Sequence, residues 1–426
     1  MALAVGFAIS PPVAEKWAPA ILRGRYGSSE AKTDLDPPRQ AEGHASPEGP
    51  AGQRMSRLPP AEAAASRVPD LQDVSRARGR AAPNTGSLSL TVPVRVAVDA
   101  MGADKGPDEI VAGALEAASD TVQPVLYGPP GLDTQGLELV EATETIAMHE
   151  KPVEAVRAKP QSSLVLACRA VGDGEADAVV SAGNTGATLA AGLFHIRRLP
   201  EVDRPAIAVV IPARDGPSVL LDSGANADAR AEHLLQFAQM GAIFAHEMLE
   251  IPNPEVRLLS IGEEPEKGNQ LTLEAHALLA QSDLNFGGNV ESRHILRKAG
   301  DVVVCDGFTG NVCLKLLEGT IATILEGIRE EIRSSMRGKV GGLLIRPAAR
   351  HLRERLDPDT YGGAYLLGLR GLAVIAHGSS SPTAVANAIR LAARGVEHRV
   401  VERLAERLRG SVLASARPET PTPQAR

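Results

Sequence analysis

Aromatic side chains are scarce in this chain: 6 Phe, 4 Tyr and 1 Trp make up 3% of 426 residues. A core of any size must therefore come from Ala, Val, Leu and Ile, which a hydrophobic content of 43% can supply. Cysteine is scarce too. Cys168, Cys305 and Cys313 are too few and too irregularly spaced for a disulfide framework or a cysteine-rich zinc site, and buried apolar fillers are the expectation. Long apolar runs are missing: no stretch of about 18 or more residues is continuously apolar, so no membrane span is expected. Met1 to Ala20 lacks a basic start and contains Pro11 and Pro12, unlike a signal peptide. Nor is there an excess of positive charge. A net charge of -7 offers no basis for general nucleic-acid binding.

Several familiar motifs are also missing. No G-x-x-x-x-G-K-[ST] loop and no G-x-G-x-x-G opening a strand-to-helix unit occur, which argues against a P-loop kinase and an ordinary dinucleotide fold. Neither H-E-x-x-H nor G-x-S-x-G is found, so zinc-protease and serine-hydrolase chemistry lack their carriers. Neither a metal nor a cofactor is called for.

The texture of the chain changes once. The first 93 residues hold 12 of the 31 prolines and little apolar periodicity, so residues 1–91 are expected to be a disordered extension or an over-extended start. From Val94 onward, β-type runs alternate with helical patterns. V-R-V-A-V-D ends at Asp99 and precedes a helical stretch from Asp108 to Ala118. A-D-A-V-V-S ends at Ser181 and precedes a pattern from Thr188 to Arg198. S-V-L-L-D, V-R-L-L-S-I-G and D-V-V-V-C-D each lead through a Gly-rich turn into a further helix. This alternation predicts an α/β fold, a doubly wound and mostly parallel sheet, over residues 92–400. Residues 401–426 are expected to finish a C-terminal helix and end in a disordered tail.

Ligands of such sheets gather where strands end and helices begin. Three loops at those points share a composition: Ser181 to Ala187, Asp222 to Asn226 and Asp306 to Asn311. Their glycines let the backbone approach an anion, while Asn and Thr add donors without charge. Any one of them is equally a plain turn; three together favour a common anion site. Within them Ser181, Gly183, Asn184, Thr185, Gly186, Asn226 and Asn311 are candidate phosphate or substrate contacts. Lys267 and Asn269 (in E-E-P-E-K-G-N), Lys315 and His377 (in A-H-G-S-S-S) complete the candidate set. Spacing leaves alternatives open for the charged members: surface pairing with neighbouring Glu for Lys267, simple exposure for Lys315, and helix capping for His377.

These residues fall in segments that resemble the bacterial phosphate acyltransferase family, the acyl-ACP:phosphate transacylases of phospholipid synthesis. The matching segments include V-D-A-M-G-A-D-K-G-P, V-S-A-G-N-T-G-A, L-L-D-S-G-A-N-A-D, I-G-E-E-P-E-K-G-N, D-V-V-V-C-D-G-F-T-G-N-V-C-L-K, Y-G-G-A-Y-L-L-G and A-H-G-S-S. The resemblance implies a fold like that of phosphotransacetylases and isopropylmalate dehydrogenases, with a protruding helical hairpin at about residues 318–359. It implies acyl transfer from acyl carrier protein to inorganic phosphate, a homodimer, and delivery of acyl phosphate to a membrane glycerol-3-phosphate acyltransferase. The expected location is cytoplasmic, peripherally associated with the cytoplasmic membrane. In this scheme Lys267 supplies charge to the oxyanion, Asn311 and Asn184 position the reactants, and the Ser181 loop cradles phosphate. Met336, Val340, Leu343, Leu344 and Ile345, near the basic Arg337, Lys339 and Arg346, resemble a membrane-surface anchor, with burial in a dimer interface as the alternative. The chain departs from the family's usual pattern at Ala103, at Arg230-Ala231 and at Ile375-Ala376, where a lysine is common. An acyl-CoA-dependent phosphotransacetylase and a weakly catalytic membrane-surface scaffold are the alternative functions.

Overall fold

In the computed structural model the described residues are 92–356 and 362–415. The expectations for residues 1–91 and for the tail beyond Ser415 lie outside them.

An 11-stranded sheet forms the frame, in the order β3-β2-β1-β4-β11-β10-β5-β6-β9-β7-β8. Its strands are β1 (Val94–Asp99), β2 (Val122–Gly128), β3 (Glu138–Glu141), β4 (Ala178–Ser181), β5 (Ala206–Ala213), β6 (Gly216–Leu221), β7 (Val256–Ser260), β8 (Phe286–Glu291), β9 (Val302–Val304), β10 (Ala364–Leu367) and β11 (Leu372–Ile375). Strands β3, β2, β1, β4 and β11 pair in parallel, as do β6, β9, β7 and β8. Between the two blocks, β10 and β5 pair antiparallel with each other and with their outer neighbours. Three antiparallel steps reverse direction an odd number of times. The two parallel blocks therefore point opposite ways, and their carboxyl ends lie on opposite edges of the sheet.

Successive residues of β1 and β4 join alternate apolar clusters, so both faces of the sheet are covered. Val96 and Val98 join one apolar cluster while Ala97 joins another, and Ala178 and Val180 are likewise separated from Val179. One face of the first block packs on α1 (Pro107–Ala117) and α9 (Pro382–Glu397); the other packs on α3 (Ser163–Asp173) and α4 (Thr185–Ala191). Helix α5 (Ala231–Leu249) covers one face of the second block, whose opposite face carries Leu220, Val303 and Cys305. The expected doubly wound sheet is thus present. Helix α4 begins three residues earlier than the sequence pattern suggests, because the Asn184 side chain accepts the Ala187 N–H and caps it.

With few aromatics, the core depends on close contact between small residues. Phe244 meets Tyr365 edge-on at 5.0 Å between ring centroids, but the residues α9 buries are mostly alanines, among them Ala384, Ala386, Ala388, Ala392 and Ala393. At that crossing a Cβ on Gly113 would lie 2.5 Å from the Pro382 carbonyl oxygen and 2.6 Å from Val385 Cβ. Only glycine allows this approach.

A helical hairpin projects from the sheet, as expected, but begins earlier than residue 318. Its arms are α7 (Gly307–Ser334) and α8 (Met336–Leu356), with Ser335 between them. Gly338, Gly341 and Gly342 near its tip are poor helix formers. Even so, α8 runs through them, and Gly342 lets it approach the Ile332 side chain of α7. By length and composition α7 would suffice to cross a membrane, although its Asn311, Lys315 and Glu318 line the groove described below. Met336 and Leu344 on α8 are three-quarters exposed, and Val340, Leu343 and Ile345 are exposed beside them.

Replacing Gly113 with Ala is expected to force α1 and α9 apart and to lower unfolding free energy by about 1–3 kcal/mol. Urea denaturation of the two proteins measures the difference.

Candidate active site

An aspartate at a strand end organises each of the three Gly-rich loops: Asp222 and Asp306 follow the strands that lead into their own loops, whereas Asp99 reaches the Ser181 loop from the neighbouring β1. Asp99, at the end of β1, is buried; its Oδ1 accepts from Ser163 Oγ at 2.5 Å and its Oδ2 from Ser181 Oγ at 2.7 Å. Ser181 Oγ in turn accepts the Gly183 N–H at 3.1 Å. The Asn184 amide is spent on the scaffold: besides capping α4, its Nδ2 donates to Met148 O at 2.9 Å and Glu150 O at 3.2 Å. Ser181 and Asn184 therefore shape this loop, while Gly183 and Thr185 line the adjacent groove. Gly186 follows them against Pro152.

The second loop folds its donors inward. Asp222 has no solvent exposure; its Oδ1 accepts from the N–H groups of Ile207, Gly224 and Ala225, and its Oδ2 from the backbone N–H and Nδ2 of Asn226. Burial pushes this carboxyl above the usual range, against the pull of those hydrogen bonds. Asn226 Nδ2 also donates to Pro205 O at 2.8 Å. The third loop joins the second, through Gly307 N–H to Asn226 O at 2.8 Å and Asn311 Nδ2 to Ser223 O at 3.3 Å. One anion cradle formed by three equivalent strand ends is thus not what the chain builds. The Ser181 loop lies on one edge of the sheet, the other two loops on the opposite edge, and the Asp222 loop has already committed its donors to its own carboxylate.

A groove of about 200 Å³ nevertheless runs between the two edges, over β5 and β10 and under α7. Ile207, Val209, Ile211, Leu314, Leu317 and Ile321 give it apolar walls. Ser223 and Asn311 lie where α7 begins. Gly183, Thr185, Lys315, Glu318, His377 and Ser380 supply its remaining polar lining. The bond from Ala376 N–H to Ser181 O, 2.9 Å, carries β11 on past the Ser181 loop and so delivers His377 beside it. Glu318 comes from α7, about 10 Å along the helix axis from Asn311. Its Oε1 lies 3.3 Å from His377 Nε2 and its Oε2 lies 3.0 Å from Lys315 Nζ. Burial pushes the Glu318 carboxyl upward, but the hydrogen bonds from His377 and Lys315 outweigh it and hold the group below its ordinary 4.5.

The structure separates the remaining candidates from this groove. Lys267 and Asn269 occupy the turn between β7 and α6 (Gln270–Ala280), where Asn269 caps the helix by accepting the Thr272 N–H at 2.9 Å. Lys267 is exposed, and among the described residues no carboxylate lies within ion-pair distance of its ammonium. Sheet order explains the separation: β9 and β6 stand between β7 and the groove floor on β5. Glu318 and the apolar walls were not singled out from sequence. Their signal was present in L-K-L-L-E-G-T-I, where Leu314, Leu317 and Ile321 share a helix face with a Lys315–Glu318 pair.

A doubly wound α/β sheet is thus crossed by an apolar groove whose mouth holds Lys315, Glu318 and His377. The family model described as "Fatty acid synthesis protein" matches residues 94–403. The phosphate acyltransferase of Heliobacterium modesticaldum is 45% identical over 331 residues, which are 75% of this chain and 99% of that protein. That of Desulfitobacterium hafniense is 46% identical over 326 residues, covering 74% and 98%. Among solved structures, a branched-chain phosphotransacylase from Enterococcus faecalis is similar at 16% identity and a TM-score of 0.48, covering 72% of this chain and 99% of its own. The chain belongs to the fatty acid synthesis protein family and, within it, to the bacterial phosphate acyltransferases, enzymes of acyl transfer to phosphate.

A carboxyl held below its ordinary value contributes stability above 4.5 that is lost as pH falls through the folded-state value. A carbon-detected NMR titration of Glu318 is therefore expected to give a midpoint below 4.5, and a Lys315→Met change to raise it.

Proposed function

We propose that the enzyme takes a long acyl chain from acyl carrier protein and transfers it to inorganic phosphate, releasing acyl phosphate for phospholipid synthesis. The observation that carries this reading is the groove itself. Its apolar walls along β5 and α7 suit an alkyl chain, and its polar mouth suits phosphate and a thioester carbonyl. A thioester is already activated and phosphate is itself a nucleophile, so no covalent enzyme intermediate is required. Lys315, His377 and Thr185 hold the phosphate beside the Ser181 loop, and one of its oxygens attacks the thioester carbonyl. The carbon–sulfur bond then breaks, and the thiolate departs with the carrier. Holding the two reactants in line supplies much of the rate, and fixed donors at the mouth stabilise the oxyanion.

The same reading covers where the enzyme works. The exposed Met336, Val340, Leu343, Leu344 and Ile345 of α8, with basic residues among them, support peripheral attachment to the cytoplasmic membrane surface. Exposed Val312, Leu316, Ile324 and Ile328 on α7 support a homodimer formed along that arm. Product released at the membrane would pass directly to a membrane glycerol-3-phosphate acyltransferase.

Purified protein incubated with phosphate and either acyl-ACP or acyl-CoA is expected to form acyl phosphate from acyl-ACP, measured directly; no product from acyl-ACP overturns the donor assignment. Leu317→Trp, which fills the groove, is expected to cut kcat/KM for long-chain donors by about tenfold or more while sparing short ones. A chain-length series of donors reads this out.

A further inference from the structure

We propose that Glu318 makes the site select phosphate by its proton and reject fully ionised oxyanions such as sulfate. The inference rests on the groove mouth being the phosphate site of the proposed reaction. Glu318 is the sole carboxylate among the described residues that line the groove, and its side chain is 21% exposed. A carboxylate in an anion site repels an ionised oxygen and so opposes binding. Hydrogen phosphate escapes that penalty because it still carries a P–OH group, which can donate to the carboxylate. Sulfate at neutral pH has no proton to donate, so one of its oxygens would face Glu318 unpaired.

The local geometry leaves room for this contact. Glu318 Oε1 accepts from His377 Nε2 and Oε2 from Lys315 Nζ, one partner each. A carboxylate oxygen has two acceptor sites, so a third donor can be added without releasing either Lys315 or His377. Lys315 and His377 would then meet the ionised oxygens of the same phosphate while Glu318 accepts its proton. Attraction and repulsion together set the choice, as specificity generally requires. The charge relation also accounts for an acidic residue in the mouth of an anion site, which phosphate attraction alone does not.

The test is competition between sulfate and phosphate during acyl phosphate synthesis by the full chain. For the wild type, the inhibition constant of sulfate is expected to exceed the KM of phosphate by about tenfold or more. In Glu318→Gln the amide can donate to sulfate, and that ratio is expected to fall by about tenfold. A wild type inhibited by sulfate near its phosphate KM overturns the proposal, whatever the variant does. A variant that loses activity with the ratio unchanged also overturns it, because a structural role would move both constants together. If His377→Asn leaves the phosphate KM untouched, the phosphate site lies elsewhere and the reading beneath the proposal fails. An unchanged ratio with a raised KM in His377→Asn removes the role of Glu318 alone.

Discussion

The Asp222 carboxylate, shut off from water at the end of β6, collects backbone donors from β5, from its own loop and from Asn226. Asn226 then receives the Gly307 N–H that opens α7. The start of the groove floor and the start of its helical wall are thereby tied to one buried charge. An unpaired carboxylate at that depth would be very costly, so each donor is a structural necessity. The Gly and Asn residues that look like a ligand loop are instead what allows the chain to turn all its N–H groups onto that charge.

Asp99 works in the same way on the opposite edge, through Ser163 and Ser181, and leaves a different surface exposed. There the scaffold consumes Ser181 and Asn184 and presents Gly183 and Thr185 to the groove. The other polar groups enter from elsewhere: Lys315 and Glu318 from α7, and His377 from the end of β11. The site is thus assembled from three chain segments, carrying Thr185, Glu318 and His377, the nearest two of which lie 59 residues apart in sequence.

Much of this was legible in the chain before folding. β-type runs alternating with helical patterns implied a doubly wound sheet, because parallel strands need crossover connections and the crossover helices cover both faces. The Ser181 loop, Asn311, Lys315 and His377 all stood out by residue type and position, and all lie in or beside the groove. Lys267 and Asn269 stood out equally and lie apart from it. Local composition cannot tell the two cases apart, since a Gly-Asn turn capping a helix has the same residues whether or not a ligand faces it.

What the sequence by itself determined is the alternation of strand and helix, the aliphatic core and the residues able to hold an anion. Periodicity and side-chain chemistry are local properties, so they survive being read in one dimension. Which strand ends face the groove was decided only in the tertiary structure. The antiparallel steps through β10 and β5 reverse one half of the sheet against the other and send the loops after β4 and β6 to opposite edges. Strand direction and order depend on pairing between segments far apart in the chain, and no local pattern encodes that.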